Sequence, residues 1–259
     1  MKIAVTGKGG VGKTTVAGTL ARIFAQRGKL VYAIDADPDA NLASAVGIDA
    51  DDADAIMPIS GMTDLIRERT GAEPGSSAPV YKMNPRVDDL PASLSTEAHG
   101  VRLLRLGTVK KGGGGCVCPE SALLKSLLIH LMLNEREVVI VDMEAGIEHL
   151  GRATARGVDA MLIIVEPGRR SIQTAEAITK LAEDIGIGNI MMVANKVTAA
   201  DAGFCEELGG RYNVIGCLPL SEDVRRSDLN GEAPFDAAPG FVADVTVILE
   251  KIEQAIPAS

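Results

Sequence analysis

The stretch Ile3-Ala4-Val5-Thr6-Gly7-Lys8-Gly9-Gly10-Val11-Gly12-Lys13-Thr14-Thr15 decides the fold. A short apolar run ends at a glycine, and residues 7 to 14 fit the G-x-x-x-x-G-K-[ST] phosphate-loop pattern. Glycines let successive backbone N–H groups converge on phosphate oxygens. Beyond the loop, Thr14 to Arg27 places Val16, Leu20, Ile23 and Phe24 at helical spacing. A helix beginning there turns its positive end toward the same phosphates. Gly9, Gly10, Val11, Gly12, Lys13, Thr14 and Thr15 are therefore the candidate nucleotide cradle. Lys13 would neutralise the β- and γ-phosphates and the Thr14 hydroxyl would ligate Mg²⁺.

Further apolar runs repeat the pattern. Leu30 to Ile34, Val101 to Leu106, Val138 to Val141, Ala160 to Val165, Ile190 to Ala194 and Val214 to Cys217 read as strands buried on both faces. Helical patterns lie between them at Glu120 to Asn134, Ser171 to Ile185 and Ala243 to Ile256. Strand–helix alternation predicts an α/β fold with a doubly wound, mostly parallel sheet. One P-loop domain is expected to cover residues 1–259. A segment from about 49 to 100, rich in Asp, Pro, Ser and Gly, breaks the rhythm and reads as a loop-rich insertion with one short helix near Met62 to Arg69.

Composition narrows the function. The 259 residues carry 26 Lys and Arg against 35 Asp and Glu, a net charge of −9, so the surface repels polyphosphate backbones. Aromatic residues are 3% with no Trp, which removes base-stacking platforms and membrane belts. The beginning Met1-Lys2-Ile3 lacks a signal-peptide pattern, and no apolar run approaches a membrane span. Four cysteines in a chain this long make no disulfide scaffold. The expectation is a soluble, cytoplasmic protein with reduced thiols, without nucleic-acid partners or stable membrane association.

Lys8 gives the loop the form K-G-G-x-G-K-[ST]. That form resembles the deviant Walker A motif of the MinD, ParA, ArsA and nitrogenase iron-protein class. The resemblance implies that Lys8 reaches across a homodimer to the partner's nucleotide. The second strand ends in Asp35-Ala36-Asp37-Pro38, and strand ends of open α/β sheets face the ligand crevice. Asp37 should approach the γ-phosphate, and the resemblance implies that it orients the attacking water and takes its proton. Val138-Val139-Ile140-Val141-Asp142 has the Walker B pattern, with Asp142 holding Mg²⁺ through water, and Gly146 follows in the second switch. By the same resemblance Asn195 reads adenine and Pro219-Leu220-Ser221 closes over the base. Thr198 stands where a guanine-reading Asp would be, so ATP is expected over GTP.

A second glycine cluster, Gly112 to Gly115, leads into Cys116-Val117-Cys118-Pro119-Glu120. Pro119 and Glu120 read as a first helical turn, where the helix dipole lowers thiol pKa. A tetrahedral thiolate site wants four sulfurs, and a symmetric dimer supplies four from Cys116 and Cys118. A bridging site for Ni²⁺ or Zn²⁺ is the economical reading. Cys205 and Cys217, in a helical and a strand pattern, read as core or near-core residues, and His99, His130 and His149 as structural.

These motifs together with Asp142-Met143-Glu144-Ala145-Gly146-Ile147-Glu148-His149-Leu150 and Val165-Glu166-Pro167 resemble the CooC family, the nickel-insertion accessory ATPases of carbon monoxide dehydrogenase. The resemblance implies ATP hydrolysis, an ATP- or metal-dependent homodimer and carbon monoxide dehydrogenase as client. A maturation ATPase for acetyl-CoA synthase would carry similar motifs. An Fe–S-carrying ATPase on the same four thiolates is the rival within the class. A positioning ATPase on DNA or membrane is disfavoured by the acidic charge and by the non-basic end Leu249-Glu250-Lys251-Ile252-Glu253-Gln254-Ala255-Ile256.

Overall fold

The computed structural model describes residues 1–75, 80–107, 118–133, 137–145, 152–201 and 203–256. Eight strands form one sheet: β1 (Lys2–Gly7), β2 (Val31–Ala36), β3 (Thr96–Ala98), β4 (Val101–Arg105), β5 (Val138–Met143), β6 (Ala160–Val165), β7 (Ile190–Val197) and β8 (Val214–Pro219). Their order is β3-β4-β2-β5-β1-β6-β7-β8. All neighbours are parallel except β3 and β4. Every residue of β1, β2, β5 and β6 is buried, which is why these strands read as unbroken apolar runs.

The helices are α1 (Lys13–Gln26), α2 (Leu42–Val46), α3 (Ala50–Ala55), α4 (Thr63–Thr70), α5 (Leu90–Leu94) and α6 (Pro119–Leu133). They continue with α7 (Arg152–Ala155), α8 (Arg169–Ile185), α9 (Phe204–Gly209), α10 (Glu222–Asn230), α11 (Pro234–Ala237) and α12 (Pro239–Ala255). They cover the two sheet faces separately. Val16, Leu20 and Phe24 of α1, Leu42 of α2 and Phe241 and Leu249 of α12 pack on one face with Ile3, Val5 and Ile140. Ile66 of α4, Leu123 and Leu127 of α6 and Ile178 of α8 pack on the other with Ala4, Ile34 and Val141. The expected doubly wound sheet is borne out.

The 49–100 segment holds more order than its composition suggests: α3, a 3-10 turn (Ile59–Gly61), α4, α5 and the antiparallel β3. His99 and Gly100 take positive φ in the two-residue turn that joins β3 to β4. His99 Nε2 lies 3.2 Å from the Gly47 carbonyl oxygen, a structural contact. The segment packs on α6, and the carboxylate of Glu120 accepts from the Gly75 N–H at 3.2 Å.

Two long-range ties matter later. The guanidinium of Arg22, buried in α1, donates to the Val46 carbonyl at 3.0 Å and to both oxygens of Asp236 at 3.0 and 2.8 Å, and it lies over the Phe235 ring. Cys205 of α9 and Cys217 of β8 form a disulfide with Cα atoms 6.4 Å apart. That corrects the expectation of four reduced thiols. It also corrects Cys217 as a core residue, because the residue is exposed on the last strand of the sheet. The β7–β8 connection folds back and brings together two positions that spacing alone did not link. Among the described residues, no helix is long and apolar enough to cross a membrane.

Candidate nucleotide-binding site

The phosphate loop leaves β1 at the centre of the sheet, beside the point where the winding direction reverses. Gly12 takes φ +92°, and a Cβ there would come to 2.4 Å from Asn195 Nδ2. Only glycine admits both the left-handed turn and that approach. From this turn α1 begins at Lys13.

Three strand ends converge on α1. Asp35 of β2 and Asp142 of β5 lie opposite one another in register, and Val5 of β1 pairs with Asp142. Lys13 Nζ lies 2.6 Å from Asp37 Oδ2, and both side chains are buried. The other Asp37 oxygen accepts from the Asp39 N–H at 2.9 Å. The Thr14 hydroxyl donates to Asp142 Oδ2 at 2.5 Å. Lys13, Thr14, Asp37 and Asp142 thus come together as the sequence suggests.

Asp142 is fully buried, and among the described residues its Oδ1 has no hydrogen-bond partner. Burial pushes its pKa up to about 7, against the opposing pull of the Thr14 hydroxyl and the Lys13 charge. A buried carboxylate with one unbonded oxygen beside a hydroxyl is an oxygen donor set that suits Mg²⁺.

Asp35 is the residue that sequence reading passed over. It is 2% exposed and accepts from the backbone N–H groups of Leu42 at 3.1 Å and Asp37 at 3.3 Å. It pins the turn that aims Asp37. Burial raises its pKa to about 6 despite those two N–H donors. The Asp-x-Asp pattern at a strand end was its only signal.

On the other side, the Asn195 amide donates to the Val11 carbonyl at 2.8 Å, and Lys196, at φ +58°, donates from Nζ to the Gly10 carbonyl at 2.5 Å. Asn195 is buried; its amide N–H₂ is engaged by the loop, and its Oδ1 is an acceptor. Thr198 is held by Asp201 through both its N–H and its hydroxyl, at 2.9 and 2.6 Å. Pro219 is exposed at the end of β8, paired with Val197. Ser221 caps α10, its hydroxyl accepting from the Val224 N–H at 3.2 Å. Lys8 Nζ lies 3.5 Å from Glu166 Oε1.

Cys118 precedes α6, and its carbonyl accepts the Ala122 N–H at 3.1 Å, so it stands at the N-cap. Its half-buried thiol is unoxidised and lies 3.1 Å from the Ser121 hydroxyl. Cys116, Gly146 and His149 lie outside the described residues. Among the described residues, no group of three or more His, Cys, Asp or Glu side chains could hold a metal ion. The dimer-bridging reading needs only two sulfurs from each chain.

This geometry defines a P-loop nucleotide-binding domain. Residues 2–235 match the CobQ/CobB/MinD/ParA nucleotide binding domain, and the chain belongs to that family. It is 48% identical to the carbon monoxide dehydrogenase accessory protein CooC of Rhodospirillum rubrum, over 92% of this chain and 91% of that protein. It is 47% identical to an uncharacterised ATP-binding protein of Methanocaldococcus jannaschii, over 90% of each. Among solved structures, the MinD cell division protein of Aquifex aeolicus superposes with a TM-score of 0.68 at 20% identity, covering 100% of this chain and 99% of that one. At that identity the likeness speaks for the fold alone.

Proposed function

We propose that the protein is an ATP-hydrolysing homodimeric metallochaperone that carries Ni²⁺, or Zn²⁺, on Cys116 and Cys118 and assists nickel insertion into carbon monoxide dehydrogenase. One observation carries the reading: Lys13, Thr14, Asp37 and Asp142 converge behind the phosphate loop in a chain 48% identical to a carbon monoxide dehydrogenase accessory protein.

The chemistry follows from the contacts. Phosphate oxygens and Asp37 compete for the Lys13 ammonium. When phosphate takes Lys13, Asp37 Oδ2 is released while the Asp39 N–H keeps its grip on Oδ1. The freed carboxylate orients a water in line with the γ-phosphorus and accepts its proton as the new P–O bond forms and ADP departs. Asp142 and Thr14 would hold Mg²⁺, which when bound supplies positive charge to the phosphates. Lys8 adds its charge to the partner's nucleotide, so hydrolysis depends on the dimer. Asn195 Oδ1 and Pro219 border the base, and ATP is the expected nucleotide.

The cargo site uses the start of α6. Cys116 and Cys118 of two chains would bring four sulfurs together across a two-fold axis as a tetrahedral site. Metal analysis under anaerobic conditions with oligomer mass, with and without ATP, tests this. Wild type should hold one nickel or zinc per two chains. Cys116→Ser with Cys118→Ser should lose the metal and keep the nucleotide affinity of the monomer. Full metal retention in the double variant would refute the site, and iron with acid-labile sulfide would favour a cluster carrier instead.

A further inference from the structure

Each of the three lysines around the phosphate loop has its own acceptor: Lys13 takes Asp37, Lys196 takes the Gly10 carbonyl and Lys8 takes Glu166. The last pair is unexplained by nucleotide binding within one chain. We propose that Glu166 is a positioning residue that holds Lys8 in its own protomer and so sets the nucleotide level at which the dimer closes. This rests on the reading of Lys8 as the lysine that crosses to the partner.

The pairing is built by the sheet. Gly7 of β1 is in register with Ile164 of β6, and a Cβ on Gly7 would come to 2.5 Å from the Ile164 carbonyl oxygen. The two strands therefore leave the sheet in contact, with Lys8 and Glu166 just beyond the paired residues. Glu166 stands on a fixed base. Its N–H donates to the Ser171 hydroxyl at 3.1 Å, Ser171 is buried in the first turn of α8, and Pro167 restricts the backbone of the residue before it. Lys8 is the mobile member, a charge on a four-carbon stem.

An ammonium drawn 3.5 Å from its own Glu166 is held back from a partner's phosphates. In the proposal, closure weakens this contact as Lys8 turns to the partner's phosphates, in both protomers of a symmetric dimer. The side chains are 36% and 28% exposed, so the pair is screened and weak. Pairs of that kind are worth about 1.4- to 5-fold in an equilibrium constant. Two exchanges per dimer give about 2- to 25-fold. That makes Glu166 a threshold and not a lock, because a nucleotide's several negative charges outweigh one carboxylate.

The test is Glu166→Gln in the full chain, which keeps the side-chain size and the N–H to Ser171. Dimer mass is followed by sedimentation against protein concentration, with Mg²⁺ and a non-hydrolysable ATP analogue, beside Lys8→Ala and the double variant. Glu166→Gln should reach half-dimer at about 2- to 25-fold lower concentration at low salt. The gain should shrink near 1 M salt, where the screening length is about 3 Å. Nucleotide affinity of the dilute monomer should not move, and the substitution should change nothing in a Lys8→Ala background. A Glu166→Gln protein that binds nucleotide normally but dimerises like wild type, or less readily, overturns the proposal while Lys8→Ala still loses the dimer. If Lys8→Ala dimerises normally, the crossing lysine is wrong and Glu166 falls with it.

Discussion

Asp142 lies near the end of β5 without solvent contact, one oxygen on the Thr14 hydroxyl and the other unbonded among the described residues. Its carboxyl titrates near 7 in the folded chain, far above its value of 3.8 in the open. Below about pH 4 both states are protonated and the group does not affect stability. As pH rises toward 7 the unfolded chain releases the proton first, so stability falls, and above 7 the folded protein keeps a charge in a dry site. Asp142→Asn should therefore raise the melting temperature by a few degrees at pH 8 and hardly at all near pH 4, given that ~1 kcal/mol moves a chain of this size by ~2–4 °C. Melting curves across that range check it, and a gain independent of pH would contradict the electrostatic cause. The same variant should lose Mg²⁺-dependent hydrolysis while the fold survives.

Between elements, one close joint lies between the phosphate loop and β7. Gly12→Ala would force a left-handed turn on a residue with a side chain and drive its Cβ against Asn195 Nδ2. The turn alone costs about 1–2 kcal/mol, so both melting temperature and nucleotide affinity should drop. In an Asn195→Ala background the added loss should be smaller, and strict additivity would deny the contact. The strands of this joint were legible because strands buried on both faces read as apolar runs. Asp37 and Asp142 were legible because each ends such a run. Polar, short pieces were not: α10 carries few apolar residues, and its N-cap Ser221 gave no helical signal. Pairings such as Lys8 with Glu166 or Cys205 with Cys217 depend on which strands and connections become neighbours, and local spacing holds no record of that.

At the level of the whole molecule, ATP and metal would occupy different parts of one dimer. Coupling between two sites is typically ~1–3 kcal/mol, about 5- to 150-fold in affinity. Thiolate zinc sites reach ~10–16 kcal/mol. Hydrolysis alone is too small to empty such a site, so nickel should pass to the client by direct contact. Loaded protein given ATP in plain buffer should keep its nickel through dialysis and give it up when apo carbon monoxide dehydrogenase is added. Complete release without client or chelator would reverse that order. The guanidinium of Arg22 ties α1 to the Val46 carbonyl, Asp236 and Phe235. Through Arg22 the helix that would receive the phosphates is tied to α2 and α11. A helix tied in this way is an axle rather than a piston: in the dimer proposed above it would stay fixed in its own protomer while the loops around the nucleotide rearrange.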